Sequence, residues 1–474
     1  MKRRDFLKCA SASVLGAAAL GRPSAGQATS NELDRYGGWK GKKFRATGFF
    51  RTEKDKRWWL VTPEGNAFLS FGVNHLHMGW WAQPYNRKIW QERLGVTQAR
   101  GPAFSSAFRK WFMAERRRFG FNTLGVHNSR DVLNVPEPFM PYVQPIAFVD
   151  IPHWKQDVCD DNFLDVFSND FAMHCDRMAA KHAAPLKDDP YLLGYAMTDC
   201  PLLTEEDCRQ RTDVIGGDRR AARIGWPRRL RNLSINSSGK REYVNCMRQL
   251  YGDEISSFNA TYGTGFDSFH ELATARDWRP ETDLSNGNET RDNVEFLKRV
   301  VARYYHAAIG AIRRYDMNHL FFGDKLNGNT DTVDTVLRVT SQYTDVVFYQ
   351  MYARYEVQKP GMDRWSKIAD KPLLNGDSCY AATTKIMPRP YGPVADDQQQ
   401  RAEWTREFFE RAFARPDFVG WHYCGMIDAP NLIPGKKGRQ HGGLLQIDGT
   451  PYQPVQKVLR ASADKMYRIA TSRL

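Results

Sequence analysis

Two aspartates in this chain, Asp199 and Asp377, each close a short apolar run of the kind that forms a buried strand. The runs are residues 191–199 and 371–377. In a barrel of alternating strands and helices, every strand delivers its C-terminal residue to the same rim, so distant acids can face one substrate bond. Glycoside hydrolysis uses such a pair: one carboxyl protonates the departing oxygen, and the other attacks the sugar or activates water. The pair therefore predicts a barrel hydrolase, with Asp377 as nucleophile or base and Asp199 as general acid.

Further side chains near the predicted strand exits could contact a substrate. The polar ones could hold sugar hydroxyls, and indole faces could stack on the apolar side of a pyranose. Tyr352 could also tune the acidity of the nucleophile, and Asp324 could be a third acid unless it pairs with Lys325. The histidines could instead be structural, and Asn128 could cap a helix. The substrate-binding candidates are His75, His77, Trp80, Trp81, Asn128, Asp324, Tyr352, Trp421 and His422.

The elements that must bring these residues together are eight apolar runs, with helical stretches between most of them. This alternation predicts an α/β fold, a closed (β/α)8 TIM barrel with loop insertions. An N-terminal β-hairpin is predicted around the turn Pro63-Glu64-Gly65-Asn66, and its second arm becomes the first barrel strand. An open doubly wound sheet is the competing fold, but no glycine-rich phosphate-binding turn follows the first strand. The predicted barrel strands are residues 67–74, 121–127, 144–149, 191–198, 319–324, 345–350, 372–376 and 418–423.

The N-terminus resembles a twin-arginine export signal. Lys2-Arg3-Arg4 precedes an apolar stretch at 10–20 and a small-residue region that ends near Ala28. The apolar stretch is far shorter than the roughly 20 residues of a membrane-spanning helix. We therefore expect residues 1–28 to be a cleaved signal peptide and residues 29–474 to form one barrel domain. The mature protein is expected to be periplasmic or secreted, with the twin-arginine machinery as a partner and no stable membrane span.

The chain is basic, with a formal net charge of +14. Removal of the leader takes away five cationic side chains and one aspartate, a net +4, which leaves +10 on the mature chain. A positive field concentrates polyanions, and for an exported protein these are acidic polysaccharide, anionic lipid or the cell surface rather than nucleic acid. Simple solubility is the alternative explanation.

The eight cysteines give no disulfide framework, because a twin-arginine substrate normally folds before export. Their spacing does not match a zinc ribbon or finger. Cys200, Cys379 and Cys424 each follow a predicted strand and could gather at one rim. Packing of buried thiols is the main interpretation, with a cysteine and histidine metal site near His422 as the alternative.

An arginine-rich segment, residues 209–241, interrupts the alternation of strands and helices. It is predicted to be a loop over the rim. Arginines there could bind sulfate or uronate groups through paired hydrogen bonds, or could simply be solvated. Its arginines include Arg219, Arg220, Arg223, Arg228, Arg229 and Arg231.

Three groups of segments together resemble bacterial β-agarase-like glycoside hydrolases of clan A, over about residues 48–458. The first is Phe49-Phe50-Arg51 with residues 58–65, the second is residues 163–167 before residues 191–195, and the third is residues 420–423 with Gly443-Leu444. The resemblance implies an eight-stranded barrel, a retaining mechanism and a galactan-type substrate.

The catalytic positions depart from that family. Its Asn-Glu pair at the fourth strand falls on Asp199-Cys200, and its nucleophilic Glu at the seventh strand falls on Asp377. Three readings follow: Asp199 serves as the acid, Glu205 or Glu206 supplies it, or the site is inactive. Because aspartate is one methylene shorter than glutamate, two aspartates could sit far enough apart to admit a water, which makes inversion a hypothesis.

The sequence thus predicts an exported glycoside hydrolase that acts on a polysaccharide or oligosaccharide, galactan-like and possibly anionic, with no cofactor. One rival is a sugar-binding barrel without catalysis. A second rival is a metal-dependent hydrolase or lyase that uses the cysteine, histidine and aspartate side chains of the rim.

Overall fold

A computed structural model describes most of the chain. The described residues are 32–133, 139–149, 165–201, 203, 225–279, 283, 285–329, 333–430 and 440–472. The predicted leader, residues 1–28, and the alternative acids Glu205 and Glu206 lie outside these ranges. Among the helices within them, none combines the length and the apolar character that crossing a bilayer requires.

Eight parallel strands close into a barrel, as the sequence predicts. The last strand pairs with the first, with Trp421 opposite Phe71 and His422 opposite Gly72. Such strands are apolar along their length because one face packs in the barrel and the other packs under helices. In barrel order, they are β5 (Ser70–Val73), β6 (Thr123–Leu124), β7 (Tyr142–Pro145), β8 (Leu192–Asp199), β9 (Leu320–Asn327), β10 (Val347–Gln350), β11 (Leu373–Ser378) and β14 (Phe418–Tyr423).

The helices surround the barrel and occupy the connections between its strands. The longest is α9 (Gly287–Arg313), which begins where Asn286 caps two backbone amides. The others are α1 (Arg87–Leu94), α2 (Pro102–Phe119), α3 (Arg130–Leu133), α4 (Asn169–His182), α5 (Trp226–Arg231), α6 (Ser238–Tyr251), α7 (Ser256–Tyr262), α8 (Phe269–Thr274), α10 (Val333–Thr340), α11 (Tyr355–Ala369), α12 (Gln398–Phe413), α13 (Gln453–Asp464) and α14 (Met466–Thr471).

The predicted hairpin is part of a four-stranded antiparallel sheet. Its strands are β1 (Trp39–Lys43), β2 (Arg51–Asp55), β3 (Arg57–Val61) and β4 (Asn66–Phe68), in the order β1-β4-β3-β2. Gly65 in the turn has φ 82°, and an added Cβ would lie 2.5 Å from the carbonyl oxygen of Phe44, so glycine is required there. Only Leu69 separates β4 from the barrel strand β5, so the hairpin arm does continue into the barrel. A separate pair, β12 (Ala381–Ala382) and β13 (Val394–Ala395), follows β11.

Two predictions of local structure need correction. The third strand begins two residues earlier than predicted, at Tyr142, and ends at Pro145. The apolar residues Ile146, Phe148 and Val149 are buried beyond its end without extending the strand.

The described part of the arginine-rich segment, residues 225–241, is helical over much of its length rather than a loop. Arg231 is fully buried and lies 2.5 Å from Glu289, so it is a structural arginine and is not available to bind an anionic sugar. Arg228 and Arg229 lie on α5, and the arginines at 219, 220 and 223 lie outside the described residues.

Candidate active site

Asp199 and Asp377 meet at the C-terminal rim of the barrel, through Lys325. The ammonium of Lys325 lies 2.9 Å from Oδ1 of Asp199 and 3.0 Å from Oδ2 of Asp377. The two oxygens are therefore at most about 6 Å apart, because both lie within 3.0 Å of one nitrogen. Lys325 and Asp377 are nearly fully buried, whereas 31% of the Asp199 side chain is exposed. The open side of this arrangement is therefore the side of Asp199.

Lys325 reaches the site because of a bulge in β9. Gly323 has φ 72°, and the register with β8 shifts on both sides of its partner Ala196. A bulge changes which side of the sheet the following residues face. Lys325 consequently points to the acids, whereas its neighbour Asp324 points away from them, to the helix layer.

Asp324 is therefore not a third acid at the rim. It is buried beneath α9, where its Oδ1 accepts hydrogen bonds from the hydroxyl of Tyr304 and the amide of Thr198, each at 2.9 Å. Burial raises the pKa of Asp324 to about 7, against the opposing effect of these hydrogen bonds. The sequence-based alternative, a pair between Asp324 and Lys325, is also wrong, because the two side chains face opposite sides of the strand.

Asp377 is held as a charged carboxylate. Asn74, at the end of β5, donates from Nδ2 to Oδ1 of Asp377 at 2.7 Å and to the carbonyl oxygen of Gly376 at 2.7 Å. Burial by itself would raise the pKa of Asp377, but the charge of Lys325, together with the neighbouring His75 and His127, outweighs burial and holds that pKa well below its usual range. Asp377 is thus in the form that a nucleophile or general base requires.

A row of aromatic rings borders the acids. The ring of His75 stacks between Trp80, at a centroid distance of 5.1 Å, and His127, at 4.7 Å. His75 Nε2 lies 3.8 Å from Oδ2 of Asp377, and His127 Nε2 lies 2.8 Å from the ammonium of Lys325. Burial lowers the pKa of His75 to about 4, so the ring is neutral at physiological pH. His75 and Trp80 therefore border the acids, and both stay candidates for contact with a substrate.

His75 and His127 share a backbone feature that aims their rings. They have φ 58° and 63°, in the left-handed region that residues with a Cβ rarely occupy. Each follows the end of a barrel strand, so the chain turns sharply at the rim. Strain of this kind is often found at functional sites.

His422, by contrast, lies below the rim. It is fully buried inside the barrel, and its Nε2 is 2.8 Å from the hydroxyl of Ser70. Burial lowers the pKa of His422 to about 3, so it is a neutral core histidine. A Cβ added to Gly125 would lie 2.7 Å from its Nδ1, which shows how closely the interior is packed there. His422 is therefore wrong as a substrate-binding residue.

Two of the predicted sugar-stacking tryptophans are core residues. Trp81 is fully buried and packs its ring against Trp90, Phe108 and Trp111. Trp421 is also fully buried. It faces α12 on the outside of the barrel, and its indole N–H donates to the hydroxyl of Ser378. Neither ring presents a face to a substrate, so Trp80 remains as the candidate platform.

The other predicted contacts have mixed outcomes. Asn128 uses its amide to brace the turns after β5 and β6, donating to the carbonyls of Val73 and Gly125 and accepting from the amide of Leu76. It supports the rim instead of orienting a sugar. His77 is exposed, and its carbonyl accepts from the amide of Trp80.

Tyr352 is buried close to the acids. Burial and then the charge of Asp377 raise the pKa of Tyr352 well above its ordinary value. Its phenol therefore stays protonated and can donate a hydrogen bond. This placement agrees with the predicted role beside the nucleophile, which stays a prediction.

The rim also holds cysteines, as the sequence predicts. Cys200, Cys379 and Cys424 are buried free thiols. Sγ of Cys424 lies 3.5 Å from Nδ1 of His441, and ligand atoms of His75, Cys424 and His441 all lie within 4.8 Å of one another. The alternative of a metal site near His422 is therefore wrong in its histidine, because His422 lies inside the barrel and the histidines near Cys424 are His75 and His441.

Sequence reasoning missed four residues of the site: Asn74, His127, Lys325 and His441. The first two stand at the ends of predicted strands, a position that could have marked them as rim residues. Lys325 follows the predicted end of the fifth strand, which in fact continues to Asn327. His441 lies in a loop after the last strand and carries no comparable signal.

Together these groups form a polar rim with a buried carboxylate, a more exposed carboxylate and an ammonium between them. Two carboxylates at this separation are the requirement for acid-assisted cleavage of a glycosidic bond. The ammonium favours the charged form of Asp377.

Comparisons with known proteins agree with the barrel and the predicted resemblance. β-Agarase B from Vibrio sp. (strain JT0107) is 23% identical over 92% of this chain and 50% of the relative. β-Agarase A from the same strain is 23% identical over 88% of this chain and 45% of the relative. A solved exo-β-agarase structure superposes with a TM-score of 0.75 and 19% identity, over 93% of this chain and 68% of that chain. No protein-family model matches the chain.

The chain is therefore similar to β-agarases in sequence and has their barrel fold, and the predicted resemblance to β-agarase-like glycoside hydrolases is confirmed. It spans about half the length of the two Vibrio relatives.

Proposed function

We propose that this protein is an exported glycoside hydrolase that cleaves a galactose-containing polysaccharide or oligosaccharide of the agar type. The similarity to β-agarases supports the substrate class. The basic charge of the chain suits a substrate that carries anionic groups. The N-terminal sequence supports export through the twin-arginine pathway, to the periplasm or the medium.

The observation that carries the proposal is the convergence of Asp199 and Asp377. They come from β8 and β11, far apart in the chain, and share one ammonium at the rim where barrel enzymes place their active sites. In the proposed reaction, Asp377 acts as nucleophile or base and Asp199 protonates the departing oxygen. Asp199 is the more exposed of the two, which suits contact with a leaving group that departs into solvent.

The separation of the acids supports retention over inversion. Retaining pairs lie roughly 5–5.5 Å apart, whereas inverting pairs need roughly 6.5–9.5 Å to admit a water. The two carboxylate oxygens here are at most about 6 Å apart. Lys325 draws one oxygen of each acid to its nitrogen, which supports the shorter separation despite the shorter aspartate side chains. Proton NMR of the anomer first released distinguishes the two outcomes.

Lys325 also favours a second candidate function, sugar binding without turnover. The ammonium lies 2.9 Å from Oδ1 of Asp199, in the space where a departing oxygen would have to receive its proton. In this alternative, the rim holds a glycan through Trp80, His75 and the charged groups, and no bond is cleaved.

The test is a turnover assay on the purified mature protein with agarose, porphyran, carrageenan, arabinogalactan and uronate polymers. Release of reducing ends from a galactan is expected. Asp377→Asn and Asp199→Asn should each lower kcat about 10²- to 10⁴-fold, the usual range for loss of an acid or base group.

Asp176→Asn is the matched control. Asp176 pairs with Arg314 on the outer helices, and its loss should leave turnover unchanged. Glycan binding without reducing ends, by the wild type and both site variants alike, would support the binding protein. Turnover that survives both substitutions would remove the two-carboxylate mechanism.

A further inference from the structure

Three side chains at the rim converge beside the acids without a role in the proposed chemistry. Ligand atoms of His75, Cys424 and His441 lie within 4.8 Å of one another. They come from three parts of the fold: the turn after β5, the exit of β14 and the segment that begins at residue 440. Such convergence depends on the tertiary fold.

Each member of this trio is held in place by the surrounding structure. The left-handed turn and the stack with Trp80 fix His75. The amide of Cys424 donates to the carbonyl of Ser378, so the residue continues the barrel wall. The carbonyl of His441 accepts from the amide of Ala429 at 2.9 Å, and the ring of Tyr391 packs edge-on against the ring of His441. Preorganised side chains lose little entropy when they bind a ligand.

We propose that His75, Cys424 and His441 form a binding site for a divalent transition-metal ion of the Zn²⁺ class. Two imidazoles and a thiol are ligands that such ions prefer over the oxygen ligands of Mg²⁺ and Ca²⁺. Three protein ligands leave a fourth position of a tetrahedral ion open to water or a sugar hydroxyl. Nε2 of His75 is buried and makes no hydrogen bond within the described structure, and its charged neighbour, Oδ2 of Asp377, lies 3.8 Å away.

Ligand atoms that lie up to 4.8 Å apart would have to approach one another by about 1 Å to hold an ion. Ligand atoms in a tetrahedral zinc site are roughly 3.3–3.8 Å apart, given bond lengths of about 2.0–2.3 Å. The sulfur of Cys424 and the nitrogen of His441 are already 3.5 Å apart. Binding would release the thiol proton, because the thiolate is the form that binds the metal.

A second trio at the rim, His75, His127 and Asp377, also has ligand atoms within 4.8 Å. Lys325 makes this trio unsuitable. Its ammonium lies 2.8 Å from Nε2 of His127 and 3.0 Å from Oδ2 of Asp377, so a cation is already bound there. A divalent ion at the same place would be repelled by that charge. The trio of His75, Cys424 and His441 includes neither His127 nor Asp377, the two residues that the ammonium contacts.

The proposal of a metal site does not depend on the proposal that the protein is a hydrolase. Metal binding would add a cation beside Asp377, whose Oδ2 is 3.8 Å from His75, although cleavage by two carboxylates requires none. Metal binding can be measured without any sugar, so each proposal can fail while the other stands.

The experiment is a titration of the untagged, full mature protein with Co²⁺ alone, followed by optical absorption. One equivalent should bind and produce visible bands of tetrahedral Co²⁺ together with a near-ultraviolet band from sulfur to metal. Zn²⁺ should displace the bound Co²⁺, so both the visible bands and the near-ultraviolet band should disappear. The sulfur band identifies a thiolate ligand in the wild type, without reliance on a variant.

Cys424→Ser should remove the sulfur band. His441→Ala should weaken Co²⁺ binding by at least about 100-fold, the upper range for loss of a residue that only supports a metal ligand. Cys246→Ser is the matched control, because Cys246 is a buried thiol on α6. The Cys246→Ser substitution should change neither the sulfur band nor the affinity for Co²⁺.

No stoichiometric binding at micromolar Co²⁺ or Zn²⁺ would overturn the proposal. A sulfur band that survives Cys424→Ser, or binding unaffected by His441→Ala, would overturn it as well. Since His441 is only partly buried, its variant can test the site even if Cys424→Ser fails to fold.

Discussion

Lys325 occupies the space between two carboxylates that a glycosidic oxygen would have to approach. Its side chain is 2% exposed, so the ammonium is removed from water and depends on its neighbours for stabilisation. The side chain of Asp377 is 6% exposed, so its carboxylate in turn depends on the ammonium for stabilisation. A buried charge without its partner costs several kcal/mol, whereas a buried pair is close to neutral in its effect on stability. The two residues should therefore be strongly coupled.

We expect Lys325→Met to lower the free energy of unfolding by about 3–5 kcal/mol, because it leaves Asp377 as an unpaired buried charge. The double variant Lys325→Met with Asp377→Asn should recover most of that loss. Urea unfolding of the two single variants, the double variant and the wild type gives the coupling energy from a double-mutant cycle.

Lys54→Met serves as the control for this cycle. Lys54 pairs with Asp370 on the surface, where its loss should cost less than about 1 kcal/mol. Additive effects of the two substitutions at the rim would show that the buried pair is not coupled.

Strand β9 presents two neighbouring residues to opposite environments. Lys325 faces the rim, and Asp324 faces the aromatic surface of α9, where it contacts Tyr304 and Tyr305. The pKa of Asp324 is raised to about 7 by burial, so the fold favours its neutral form. A carboxyl of this kind contributes stability below its unfolded pKa of about 3.9, and this contribution is lost as the pH rises to about 7.

Asp324→Asn should therefore flatten part of the pH dependence of stability. The substitution mimics the neutral acid. As the pH rises from 4 to 8, the free energy of unfolding of the variant should therefore rise relative to that of the wild type, by up to about 4 kcal/mol. Urea unfolding at pH 4.5, 6 and 8 measures the difference. Parallel curves for the two proteins would show that Asp324 is charged in the fold.

The elements of this fold were more predictable than the direction of their side chains. Barrel strands are apolar on both faces, so all eight were visible as runs in the sequence. The same property conceals which residues face the core of the barrel and which face the helices. At Gly323 a bulge changes the alternation, and no sequence pattern reveals where Asp324 and Lys325 point. Trp421 and His422 were misplaced because their strand is buried on both sides.

At the scale of the whole molecule, closure of the barrel determines the site. Asp199 and Asp377 could be predicted to meet because strand ends share one rim, and they do meet. The lysine that joins them could not be predicted, since its contact depends on the register between β8 and β9. His441 belongs to a loop whose path depends on tertiary contacts, so no sequence pattern places it beside Cys424.

The proposed destination of the molecule also concerns the chain as a whole. Its five described cysteines are free thiols, which is consistent with a protein that folds before export. Replacing Arg3 and Arg4 by lysine should block export, because the twin-arginine machinery requires that pair. Cell fractionation should then show the variant in the cytoplasm with its leader intact.

The wild-type protein should be found outside the cytoplasm and begin near residue 29, as mass spectrometry of its N-terminal peptide will show. Substitution of Lys8 by arginine is the control, since it keeps the charge of the leader and leaves the arginine pair intact. Export that is unaffected by the loss of both arginines would contradict the proposed route.

The cation between the acids has a consequence for inhibitor chemistry. The transition state of glycoside cleavage carries positive charge on the sugar ring, and iminosugars imitate it with a protonated ring nitrogen. Such a compound gains affinity from a net negative site. Here the protein places its own ammonium between the carboxylates and offsets one of their negative charges, so a charged iminosugar gains less attraction than a site without the lysine would give. A neutral lactone, which imitates the flattened ring without the charge, loses no such attraction, so the affinities of the two inhibitor classes should differ less at this rim.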